Sequence, residues 1–181
     1  MEPLKLWAQL YEEIANLITT NLLQVQWVDL WHNQVGFLES EHPFPAPAVF
    51  LSFRIGKADD LSAKVQDLEV QMDLYYFYET FLDTFQGAFN KADAIAYLNT
   101  LTDIHALLHG TSGETFNECR RVGFAPVDTG SAGNLYRMSF TMNVQDGSAV
   151  EVREGAAPGE VLAEKGTAPQ NAVPNSGGFV I

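Results

Sequence analysis

His105 and His109 stand four residues apart in HALLH, a spacing that on a helix puts two imidazoles on one face, within reach of a single metal ion. The segment lacks the glutamate of the zinc-protease signature and has no third ligand nearby in sequence. A surface or helix-end role is the simpler reading, since His109 suits the negative C-terminal end of a helix. His32 and His42 have no partner identifiable by spacing. Cys119, the only cysteine, sits beside Arg120, which would favour a thiolate, but its strand-like neighbours make it a buried structural thiol. GTSGE, residues 110 to 114, has the glycines of a phosphate loop without the Gly-Lys-Ser/Thr that would supply the phosphate-binding lysine, and reads as a helix stop. Asp59 with Asp60, and Glu39 with Glu41, have the oxygen chemistry to hold a divalent cation between subunits, but a solvated loop is the simpler reading. No nucleophile, base and orienting group can be assembled from any recognisable spacing, so no catalytic residue, cofactor or resident metal is expected.

The elements that must position these residues follow from composition and periodicity. At 181 residues and 46% hydrophobic content the chain supports one domain with a real core. No apolar run approaches the ~20 residues of a membrane span, and MEPLKLWAQLYEEIANL lacks the basic start and apolar block of a signal peptide, so cytoplasmic synthesis without membrane contact is expected. The single cysteine excludes a disulfide framework. A net charge of −13, with only Arg120 and Arg121 adjacent among the cations, excludes a protein that grips a nucleic-acid backbone. It suits ordinary solubility, or a surface that repels DNA passing through a ring.

The clearest signal is DLEVQMDLYYFY, residues 67 to 78, in which Leu68, Val70, Met72, Leu74, Tyr76 and Tyr78 alternate with Asp67, Glu69, Gln71 and Asp73. Period two over that length predicts one long, half-buried strand spanning roughly 40 Å, whose end projects beyond a small core. Before it, Pro3 opens an amphipathic helix to about Leu23 with Glu12 and Glu13 on its wet side; residues 24 to 31 predict a short strand; and Pro43, Pro45 and Pro47 stiffen a connection. AVFLSFRI, residues 48 to 55, predicts a second strand, and GKADDLSAK, residues 56 to 64, a mobile turn into the long strand. Asn90 is expected to cap a helix running to His109, with a stripe of Ala92, Ile95, Ala96, Leu101, Ile104, Leu107 and Leu108. Two further strands are expected around 116 to 124 and 135 to 144, joined by DTGSAGN. The composition breaks after Asp146. This divides the chain into an α+β domain, 1 to 146, and a Gly/Ala/Pro-rich arm, 147 to 181, whose apolar end Phe179, Val180 and Ile181 suits docking on a partner.

The order of these parts, a helix, PAPAVFLSF, LEVQMDLYYF, a helix ending in LLHG and a closing LYRMSFTMNVQD, resembles the tail terminator and tail completion (head-to-tail joining) proteins of long-tailed bacteriophages over about residues 1 to 146. The Glu79 to Phe89 segment and the C-terminal arm depart from that compact plan. The resemblance implies an antiparallel sheet covered by helices and a ring, usually of six subunits, that ends tail-tube polymerisation and joins the tube to the head connector. The expected partners are then other copies of the chain, the tail tube protein and neck or connector proteins, with DNA passing through unread, in a virion assembled in the host cytoplasm. Lys57, Asp59, Asp60, Lys64, Glu69, Asp73 and Arg137 are the expected interface residues, with the C-terminal apolar trio. A tail tube subunit or another neck or connector subunit is the alternative within the virion, and the tube subunit would differ by polymerising into long tubes. An acidic DNA mimic would instead space carboxylates like phosphates over one face, whereas here they are scattered.

Overall fold

The computed structural model describes residues 5–37, 44–79, 82–128 and 134–150. The elements are α1 (Leu6–Asn21), β1 (Trp27–Leu30), a 3-10 turn (Gln34–Phe37), β2 (Ala48–Ser62), β3 (Val65–Tyr78), α2 (Lys91–Ala94), α3 (Tyr97–Leu108), β4 (Arg120–Val127) and β5 (Asn134–Asp146). The fold is α+β, as the patterning predicts. The arm from residue 151 onward, with Phe179, Val180 and Ile181, lies outside the described residues, as do Glu39, Glu41 and His42 and most of the DTGSAGN turn.

The strands form one sheet in the order β1-β2-β3-β5-β4. Four of them are antiparallel neighbours, while β1 joins β2 in parallel, from Trp27–Ala48 to Leu30–Leu51. A parallel pair needs a long crossover, which residues 31–47 provide. β3 begins two residues before the alternation predicts and pairs with β5 without interruption from Gln66–Asp146 to Tyr78–Asn134.

Two sequence expectations are corrected here. The segment 56 to 64 is not a loop: β2 runs to Ser62 and only Ala63 and Lys64 turn the chain, because the backbone keeps its ladder with β3 through irregularities at Gly56 and Leu61. The expected single helix from Asn90 is broken at Ile95–Ala96, where the N–H groups of Ala96, Leu98 and Asn99 bond carbonyls three residues back. That tightening rotates the buried stripe, so Ala94, Tyr97 and Thr100 are buried while Ala92 and Ala96 are exposed. Asn90 makes no side-chain cap bond.

One face of the sheet carries the main core. Leu68, Val70, Met72, Leu74 and Tyr76 of β3 and Met138, Phe140, Met142 and Val144 of β5 lie in one cluster with Leu10, Ile14 and Ile18 of α1 and Leu101, Ile104 and Leu108 of α3. Burial pushes the Tyr76 hydroxyl, which has Thr100 as a polar neighbour, up to about 12. The opposite face is divided. Its basal half is apolar: Phe50, Phe77, Leu135 and Val35 pack together, Trp31 stacks on Tyr75 with centroids 4.1 Å apart, and Phe44 meets Phe50 edge-on. Its distal half is polar, with Glu69, Gln71, Asp73, Ser139, Thr141 and Asn143 along β3 and β5.

Candidate interaction surface

Among the described residues, the distal hairpin gathers most of the expected interface positions, and strand geometry decides which of them lie together. Since the core face of β3 is buried from Leu68 inward, the part that projects is the tip, with rungs Asp59–Asp67, Asp60–Gln66 and Ser62–Val65. Asp59 and Asp67 are like charges placed directly opposite, an unfavourable pair by itself. Lys57 offsets it: its Nζ lies 2.5 Å from Asp59 Oδ2, and the carboxylates of Asp59, then Glu69 and Asp67, raise the ammonium above its ordinary range. The group is fully exposed, so this is a surface arrangement open to exchange with a partner.

Asp59 and Asp60 are successive strand residues and point to opposite faces, so they cannot chelate one ion as a pair within the subunit. Asp60 accepts a bond from Gln66 Nε2 at 2.9 Å. Among the described residues no three His, Cys, Asp or Glu side chains are grouped closely enough to hold a metal. Lys64 sits in the two-residue turn, and Glu69 lines a cleft of about 480 Å³ with Glu118, Arg120, Thr141 and Asn143.

Two expected residues separate from this group. Arg137, exposed on β5, is level with Tyr75 and Ala125 in the basal half, six residues or roughly 20 Å along the strand from Asn143, the partner of Glu69. Asp73 faces the polar back but is only 7% exposed; Ser139 Oγ donates to it at 2.5 Å and Gln71 Nε2 at 3.0 Å. Its surroundings are its own subunit's, so Asp73 serves the fold and is no accessible contact.

The histidines behave as helix-end residues. Their rings are 4.9 Å apart, and His109 Nδ1 accepts the Arg121 N–H at 3.1 Å. Burial, then the Arg121 and His109 charges, lower the pKa of His105. Cys119 is buried in the main core, and burial pushes its thiol up to about 12. Native protein at pH 8 is therefore expected to react with a small thiol reagent orders of magnitude more slowly than the urea-unfolded chain, as followed by absorbance. Equal rates would show that the thiol is accessible.

Sequence reasoning placed Glu13 on the wet side of α1 and gave it no task. The structure sets its carboxylate against residues a hundred positions away: Oε1 accepts Glu114 N–H at 2.5 Å, and Oε2 accepts Thr115 N–H at 3.1 Å and Thr115 Oγ–H at 2.6 Å. A Cβ at Gly113 would land on that carboxylate, so only glycine permits the approach. The net effect of these bonds, against partial burial, is a lowered Glu13 pKa. The local signal was the glycine itself, read there only as a helix stop.

No helix among the described residues is long and apolar enough to cross a membrane. No protein-family model matches the chain, and the search of curated proteins found no similar sequence.

Proposed function

We propose that this chain is a structural virion protein that forms a ring at the head-proximal end of a phage tail, ending tube growth and joining tail to connector. The observation that carries the reading is the long, charged β2–β3 hairpin, whose outer side has no strand partner beyond Leu51 among the described residues and whose residues are exposed from Arg54 to Ser62. An edge of that length, set at one side of the sheet, is a surface for a neighbouring chain. A heterologous contact of this kind closes into a ring when its rotation allows. The acidic balance of the chain then keeps passing DNA unbound. The resemblance of the element order to tail terminator proteins supplies the position in the tail.

Native mass spectrometry across protein concentrations, with and without tail tubes, is the test. A closed species, with six copies as the expected number, is the supporting result; a chain that stays monomeric at high micromolar concentration and on tubes removes the reading. Electron microscopy separates the tube-subunit alternative, which would give long polymers in place of single rings.

A further inference from the structure

The segment between α3 and β4 does more than connect them. Gly110 N–H bonds Cys119 O at 2.7 Å, Cys119 N–H bonds Thr111 O at 2.8 Å, and His109 Nδ1 takes the Arg121 N–H. Asn117 N–H, just before β4, reaches Asn143 O at 2.9 Å and covers the stretch of β5 that β4 leaves bare. The chain thus doubles back on the entry to β4, where the N–H and carbonyl of Cys119 and the N–H of Arg121 are taken and cannot be offered to another chain. At the far end of β4, Pro126 has no N–H to offer. The segment is held in its middle by the three hydrogen bonds to Glu13 and toward β4 by Phe116 and Cys119 in the core.

We propose that Gly110–Cys119 is a strap that keeps this edge of the sheet closed, that Glu13 is its latch, and that the opened edge is taken by β2 of a second copy. The choice of occupant rests on the ring reading above and on charge. Under the strap begins the only adjacent pair of cations in the chain, Arg120 and Arg121, while the unpaired side of β2 carries Asp59 and Asp60. β2 and β4 run in opposite directions in the sheet and lie toward its opposite sides, so β2 of one copy meets β4 of the next antiparallel and the contact repeats from copy to copy. Arg120 and Asp59 lie on the same, polar-backed face of their strands, as paired residues must. A closed strap keeps the free subunit from uncontrolled pairing.

The test compares the full chain with Glu13→Gln, which keeps the side chain's size but loses its charge and one acceptor, reading Cys119 modification by a thiol reagent and self-association by sedimentation velocity. Loss of the charged latch should accelerate Cys119 modification about tenfold or more and lower the protein concentration needed for association by a similar factor. Adding Asp59→Lys and Asp60→Lys to the opened variant should abolish that gain. Should Glu13→Gln fail to fold, Thr115→Val removes one bond from the other side and should act in the same direction, more weakly. Unchanged labelling, labelling that rises without association, or association that survives the aspartate reversals would each overturn the proposal. Association through β2 into open chains would uphold the strap while removing the ring.

Discussion

Phe140→Ala is expected to lower the unfolding free energy by about 3–5 kcal/mol, enough to unfold a marginally stable domain at moderate temperature. Phe140 is fully buried in the middle of β5, opposite Met72 on one side and Arg121 on the other, in the cluster that binds α1 and α3 to the sheet. Removing its ring takes away apolar area and leaves a cavity that paired strands cannot close, since their separation is fixed by the ladder. Phe89→Ala provides the control: Phe89 is 98% exposed, and its loss should change the unfolding free energy measured in urea by about 0.5 kcal/mol or less. Equal effects of the two substitutions would mean that the core has been misplaced.

Asp73→Lys is expected to be nearly as damaging, about 3–5 kcal/mol, because it puts an unpaired ammonium where a carboxylate now accepts bonds from Ser139 and Gln71. Reversal at Glu69, four residues away on the same face but exposed, should leave stability within about 0.5 kcal/mol and act on assembly alone. Urea titration of the two variants, beside their oligomeric state, separates a residue that holds the subunit from one that meets its neighbour. A stable, well-folded Asp73→Lys protein would return Asp73 to the surface.

The pair Asp73 and Glu69 also shows where the sequence could be read and where it could not. Alternation in DLEVQMDL made β3 legible and assigned both residues correctly to the polar back. It could not show that this back is half covered, although the run YYFY, apolar at every position, carried the signal of a strand buried on both sides. The aromatic cluster of Trp31, Phe44, Phe50, Tyr75 and Phe77 accounts for it. Long-range pairings were out of reach for a simple reason: the parallel joining of β1 to β2 and the Glu13–Thr115 contact depend on how distant segments meet, and no local periodicity encodes that. The break at Ile95 was equally hidden, because residues 90 to 108 keep a helical composition through it. The expected interface residues were named from the sequence as charged positions, but their division into tip, back and base needed the register.

The unbroken ladder between β3 and β5 has a mechanical consequence. Its hydrogen bonds lie across the strands, so a pull along the strand axis loads many rungs together in shear, whereas a pull across the sheet would open them one after another. A subunit whose neighbours draw on its hairpin tip at one end and its basal aromatic cluster at the other would carry tension along its stiffest direction. Such a domain transmits force with little stretching of its own.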